Sequence, residues 1–237
     1  MKLILYSLLF AVSTFAHSSA CDKYNEKQDY IKHSDCVSEL AERGNAASQL
    51  ILGAFYENGV QTEKNIVLAE KWYRHAAEQG LGDAQLNLGG ILVEQGRYEE
   101  SLTWFLKAAE QGVADAQFNL GIMYNKGQGV EQNSAQAFYW FEKAANQHHT
   151  TSQYNLGLMY KQGYGVAKNT IKAVYWFTKA AEQGHTKAQN NLGVAYEFGE
   201  GVQQNLNMAK HYYGLSCKKG HQKGCANYAR LNEQSIK

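Results

Sequence analysis

Residues 109–144 read AEQGVADAQFNLGIMYNKGQGVEQNSAQAFYWFEKA, and residues 145–180 read ANQHHTTSQYNLGLMYKQGYGVAKNTIKAVYWFTKA. The second stretch repeats the first in outline. Leu-Gly, Tyr and Trp-Phe are kept, and most of what lies between changes. Aligning the chain on the glycine of AEQG gives Gly44, Gly80, Gly112, His148, Gly184 and Gly220, at intervals of 36, 32, 36, 36 and 36 residues. A period of this length marks a solenoid built from one repeated supersecondary unit.

Each unit reads as two helices. In the first, Ala116, Leu120, Gly121 and Tyr124 keep the spacing of one helix face; in the second, Ala137, Trp140, Phe141, Ala144 and Ala145 do the same. Small residues allow close helix approach, and the large aromatics are expected to fill the space between units. The connecting loops GQGVEQN, GYGVAKN and GEGVQQN carry paired glycines suited to positive φ, a valine (Val130, Val166, Val202) expected to tuck against the helices, and Asn133, Asn169 and Asn205 where a helix N-cap is wanted. No third glycine or preceding strand supports a dinucleotide-binding reading. In the copy from Ala77 to Ala108 the loop collapses to QGRYEES while both helix stripes persist. A deletion confined to the loop supports the segmentation. One helix pair cannot bury its own apolar face, whereas a stack can.

Composition agrees. Proline is absent, so glycine carries the punctuation, and the net charge of +1 gives no basic footprint for nucleic acid. The first twenty residues, MKLILYSLLFAVSTFAHSSA, have a charged start, an apolar run from Leu3 to Phe15 and small residues before Cys21. They read as a secretory signal, too short to span a bilayer, and no later segment is long and apolar enough to do so. An exported chain with four cysteines reads as carrying two disulfides. Cys21 also directly follows Ala20, so a lipid anchor at Cys21 is the alternative use of that residue, although Ser18 stands where a lipobox has leucine.

The pattern A-x-x-x-L-G-x-x-Y, G-x-G-V, A-x-x-W-[YF]-x-K-A-A, Q-G resembles the Sel-1-like repeats, relatives of the tetratricopeptide repeats, over roughly residues 41–231. The resemblance implies an all-α, right-handed α/α superhelical solenoid. The expected organisation is a signal peptide at 1–20, an N-terminal capping helix at 21–43, about five repeats at 44–216 and a disulfide-bearing C-terminal capping helix at 217–237. Members of this family typically act as adaptors. The implied function is therefore a non-enzymatic, monomeric scaffold, secreted or periplasmic, that holds a protein or peptide partner in a concave groove, with no cofactor, metal or nucleic acid. In exported cysteine-rich members a bridge joins the end of one helix to the start of the next, and Cys217 and Cys225 look like such a pair. Elimination then leaves Cys21 with Cys36. Fifteen residues of unbroken helix would hold those two about 22 Å apart, so the chain must fold back if they pair.

In the tetratricopeptide relatives the first helices line the groove. The resemblance therefore points to Asn87, Asn119, Asn155, Asn191 and Asn227, which recur two residues before the repeat glycine or its equivalent. An amide both donates and accepts, as a peptide backbone requires; the competing role is bracing the adjacent helix. Phe118 and Tyr154, just before two of these asparagines, are the candidate aromatics for a cell-wall polysaccharide. Trp104-Phe105, Trp140-Phe141 and Trp176-Phe177 read as core, and His148-His149 as a solvated turn. Some cysteine-rich relatives are described as weak β-lactamases or penicillin binders, and Ser216 to Lys219 forms an S-x-x-K, but the S-D-N and K-T-G elements that chemistry needs are missing.

Overall fold

The computed structural model describes residue 21 and residues 30–234; the expected signal segment at 1–20 lies outside the described residues. Among those described, every regular element is a helix. They are α1 (Tyr30–Glu42), α2 (Ala46–Asn58), α3 (Ile66–Glu78), α4 (Gly82–Glu94), α5 (Tyr98–Glu110), α6 (Ala114–Lys126), α7 (Ser134–Asn146), α8 (Thr150–Gln162), α9 (Thr170–Glu182), α10 (Thr186–Phe198), α11 (Leu206–Lys218) and α12 (Gln222–Gln234). Two compact units divide the chain, residues 1–111 with α1 to α5 and residues 112–237 with α6 to α12. Within each, consecutive helices pack against one another, as a stack of helix pairs requires.

The repeated glycine of each first helix has a steric reason. A Cβ on Gly121 would stand 2.6 Å from the ring of Phe141, one on Gly157 2.4 Å from Phe177, and one on Gly193 2.4 Å from Tyr213. Gly53 with Tyr73 and Gly89 with Phe105 repeat the arrangement in the first unit. These rings therefore lie flat against the glycine of their own pair. This corrects the expectation that the aromatics fill the space between pairs, at least for the second aromatic. Each buried ring removes enough apolar surface from water to stabilise by about 1.5–3 kcal/mol.

What joins one pair to the next is partly polar. In α2, α4, α6, α8 and α10 one glutamine near the helix start, Gln49, Gln85, Gln117, Gln153 or Gln189, follows a buried alanine or serine and is itself buried. Gln153 donates to the Ala145 carbonyl at 3.2 Å and accepts from Gln183 at 2.8 Å. Gln85 repeats this with Ala77 and Gln111, and Gln49 with Ala41 and Gln79. Lys219 replaces the donor in the last pair and binds the Gly184 carbonyl at 2.9 Å instead, leaving Gln189 Oε1 buried with no partner among the described residues.

Asn133, Asn169 and Asn205 cap α7, α9 and α11, each side chain accepting from the backbone N–H three residues on at 2.9–3.0 Å. The shortened loop lacks that asparagine: α5 starts after Arg97 with no side-chain cap. There Arg74 and Arg97 each pair with both Glu70 and Glu100, an ionic network inside the first unit.

Both disulfides are present. Cys217 and Cys225 have Cα atoms 4.4 Å apart, tying the end of α11 to α12. Cys21 and Cys36 have Cα atoms 5.7 Å apart, which places Cys21 against α1, and Cys21 is buried with Val37, Ala41, Leu52 and Phe55. A lipid thioether at Cys21 would need the same sulfur, so the disulfide displaces the anchor reading. No helix among the described residues is long and apolar enough to cross a membrane.

Candidate partner-binding face

The first helices of the second unit, α6, α8, α10 and α12, carry Asn119, Asn155, Asn191 and Asn227, all half-buried. The structure separates them into two kinds. The amide of Asn227 donates to Asn190 at 3.1 Å, and Asn191 lies within hydrogen-bonding reach of the Tyr154 hydroxyl. In both cases the residue just before one repeat asparagine reaches the asparagine of the next repeat. Asn191 also borders a small opening shared with Phe177, Ala195 and the ion pair Lys161–Glu200. In the first unit Asn87 lies within reach of the Tyr73 hydroxyl. Asn227 thus braces a neighbouring helix, and Asn87 and Asn191 each lie close enough to a phenol to oppose the rise in its pKa. Among the described residues the side chains of Asn119 and Asn155 make no hydrogen bond. The chemistry is simple for Asn155, because the residue in bracing position is Phe118, which has no hydroxyl or amide to offer.

Phe118 and Tyr154 each carry a histidine on the ring. His149 lies on Phe118 with centroids 4.7 Å apart, and His185 stacks on Tyr154 at 4.4 Å. Both histidines cap the N-terminus of a first helix. His149 Nδ1 accepts from Ser152 N–H at 3.2 Å, and His185 Nδ1 accepts from Ala188 N–H at 3.2 Å. An accepting Nδ1 places the proton on Nε2. In His149 that N–H points to Asp115 Oδ1 at 3.2 Å. The hydrogen bond from His149 holds the Asp115 carboxyl below its ordinary range despite partial burial. Burial, aided by the charge of Lys187, lowers the pKa of His185 and favours its neutral form. Burial raises the Tyr154 phenol, with Asn191 opposing. His149 is thus an ordered cap rather than a solvated turn residue; only His148 is exposed. His149, His185 and His221, which accepts from Gly224 N–H, were detectable in sequence because they share the register of the N-cap Asn45.

The S-x-x-K residues do not form a nucleophilic pair. Ser216 is fully buried and donates to the Thr186 carbonyl at 2.8 Å, while Lys219 is held by Gly184. A hydroxyl so placed has neither a base beside it nor access to a substrate.

A repeated helix pair seated on glycine, with its period carried by the A-x-x-x-L-G register, defines a tetratricopeptide-like repeat scaffold. The model of the Sel1 repeat matches residues 46–81, 82–113, 114–149, 150–185 and 186–221, and the chain belongs to the Sel1 repeat family. Sel1 repeats generally mediate protein interaction. Among solved structures, c5321, described as a protective antigen present in uropathogenic Escherichia coli strains and displaying an SLR fold, is 32% identical with a TM-score of 0.84; the match covers 86% of this chain and 45% of that one. A Sel1 repeat protein from Oxalobacter formigenes is 31% identical, TM-score 0.75, over 88% of this chain and 86% of its own. A putative sel1-like repeat-containing protein, L21, of Acanthamoeba polyphaga mimivirus is 41% identical over 66 residues, 28% of this chain and 12% of that protein. The chain therefore spans less than half the length of c5321 and a small part of the viral relative.

Proposed function

We propose that this protein is a non-enzymatic adaptor that holds an extended peptide segment of a protein partner along the first helices of its second unit. The carrying observation is the pair of unpartnered amides at Asn119 and Asn155, on a face where Asn227 is bonded to Asn190 and Asn191 lies beside the Tyr154 hydroxyl. Neighbouring helices lie about 8–10 Å apart and an extended strand rises about 3.3 Å per residue, so successive first helices meet roughly every third peptide residue. Phe118 with His149 and Tyr154 with His185 form apolar walls beside those amides. Each ring has one face covered by its histidine, which suits a side-chain wall better than an open sugar platform. Two disulfides and the leader-like first twenty residues support action outside the reducing cytoplasm.

The test is photo-crosslinking in the native host from a probe at position 155, with position 139 on a second helix as the control, followed by identification of the captured protein. The double variant Asn119→Ala/Asn155→Ala should then weaken that partner's binding at least about tenfold with an unchanged melting temperature. Asn191→Ala should lower the melting temperature instead. Full-strength binding by the double variant would refute the assignment.

A further inference from the structure

The two C-terminal helices, α11 and α12, depart from the others in charge. From Leu206 to Gln234 five Lys or Arg residues stand against one acidic residue, in a chain whose net charge is +1. In register with earlier second helices, Lys210 replaces Phe138 and Val174, and Lys218 replaces Asn146 and Glu182. Gly214 stands where Glu142 and Thr178 carry side chains. A Cβ there would lie 3.1 Å from the Tyr228 ring of α12, a tight approach, so the ring packs on the bare glycine. Between α11 and α12 this leaves an open cleft of about 440 Å³ lined by Asn207, Lys210, His211, Gly214, Lys218 and Tyr228. No carboxylate lines it, and among the described residues neither Lys210 nor Lys218 is in an ion pair. Lys210 lies 6.0 Å from the Tyr228 ring centre, and the Cys217–Cys225 disulfide fixes the two walls together.

We propose that this cleft binds a sugar ring bearing a carboxylate or a phosphate. Its volume is that of a small-molecule site rather than a peptide track. Residues 207, 211, 214 and 218 run along one stripe of α11, with Gly214, covered by the Tyr228 ring, in the middle and Lys210 and Lys218 about one turn to either side. A ring seated in the cleft against the Tyr228 ring places its anionic group within reach of Lys210 or Lys218. Asn207 supplies an amide for hydroxyls. An extended acidic peptide would need a row of backbone partners, which this stripe lacks. The site lies on α11 and α12, away from Asn119 and Asn155, so it stands or falls separately from the adaptor reading.

Titration calorimetry on the full disulfide-bonded chain tests it with four probes: glucuronate, glucose 6-phosphate, neutral glucose and inorganic phosphate. Saturable binding of one or both sugar anions, weakened by salt, and none of glucose is the expected result. Lys218→Glu and Lys210→Val, which restore residues found at these positions in the preceding repeat, should each weaken it about tenfold or more with unchanged melting. Equal binding of glucose, equal binding of inorganic phosphate, indifference to both substitutions, or no saturable heat with either sugar anion would each overturn it. Binding of glucuronate alone or glucose 6-phosphate alone assigns the anionic group.

Discussion

The hydroxyl of Tyr213 donates to the buried carboxylate of Glu197 at 2.7 Å, and Arg230 of α12 reaches the same carboxylate at 2.7 Å. The first unit holds the counterpart, Tyr73 with Glu57. Where the ring facing the repeat glycine is Phe141 or Phe177, the residue in the glutamate position is Asn125 or Lys161. A phenol on the ring is thus matched by a carboxylate one turn beyond the glycine. Tyr213→Phe should cost about 1–2 kcal/mol, because it strips one donor from a buried charge that Arg230 still partly satisfies. In a double-mutant cycle with Glu197→Gln the two changes should be non-additive. Burial raises the pKa of Tyr213, and Glu197 raises it further; the same causes raise Tyr73. A raised folded pKa gives stability that is full below the unfolded tyrosine value of about 10 and is lost as pH climbs above it. Urea unfolding across that window should show the decline in the native protein and a flatter profile in Tyr73→Phe/Tyr213→Phe. An unaltered slope would mean the phenols are not coupled to folding.

The shortened repeat makes an acid-side prediction. Burial alone would raise Glu70, but hydrogen bonds from Arg74, Gln95 and Arg97 outweigh it and hold the carboxyl below its usual range; Glu100 is lowered by Arg74 and Arg97 against the same opposition. A depressed carboxylate contributes stability above its unfolded pKa of about 4.3, lost as pH falls further. Arg97 is 42% exposed, so solvent weakens the network. Arg97→Ala should cost about 1 kcal/mol at neutral pH and less in high salt or below about pH 4. A loss of the same size in acid and in salt would point to packing of the Arg97 stem instead.

The architecture was legible because its determinants are steric and periodic. Gly121, Gly157 and Gly193 recur with their rings at a fixed distance in sequence. The disulfide at Cys217 was legible by likeness. The polar links were not. Gln117, Gln153 and Gln189 look like surface residues, since glutamine is mostly exposed in proteins; only their fixed place after a small buried residue, Ala116, Ser152 or Ala188, betrays them. The division among the asparagines was hidden for another reason. Whether Asn155 or Asn191 is free depends on the residue before the equivalent asparagine one repeat earlier, Phe118 or Tyr154, and hence on which helices become neighbours.

Backbone sign at the repeat turns supplies a stringent check on the register. Gly44, Gly80, Gly112, Gly184 and Gly220 all have φ between 81° and 92°, and His148 occupies the same turn at φ 64°. A side chain there costs about 1–2 kcal/mol relative to an unstrained conformation, offset in part by the greater unfolded-state freedom of glycine. His148→Gly should therefore stabilise by about 0.5–1 kcal/mol and leave α8 intact, because His149 rather than His148 provides its cap. The opposite exchange should fail at Gly165. There φ is 66°, and a Cβ would lie 2.1 Å from the Ser134 carbonyl oxygen at the start of α7. Alanine adds backbone strain to a clash that the neighbouring repeat cannot relieve without shifting a helix terminus, for an expected loss of about 3 kcal/mol. Thermal unfolding of the two variants beside the native chain decides the matter. A destabilised His148→Gly or a neutral Gly165→Ala would show that the turns are not held as the repeat alignment requires.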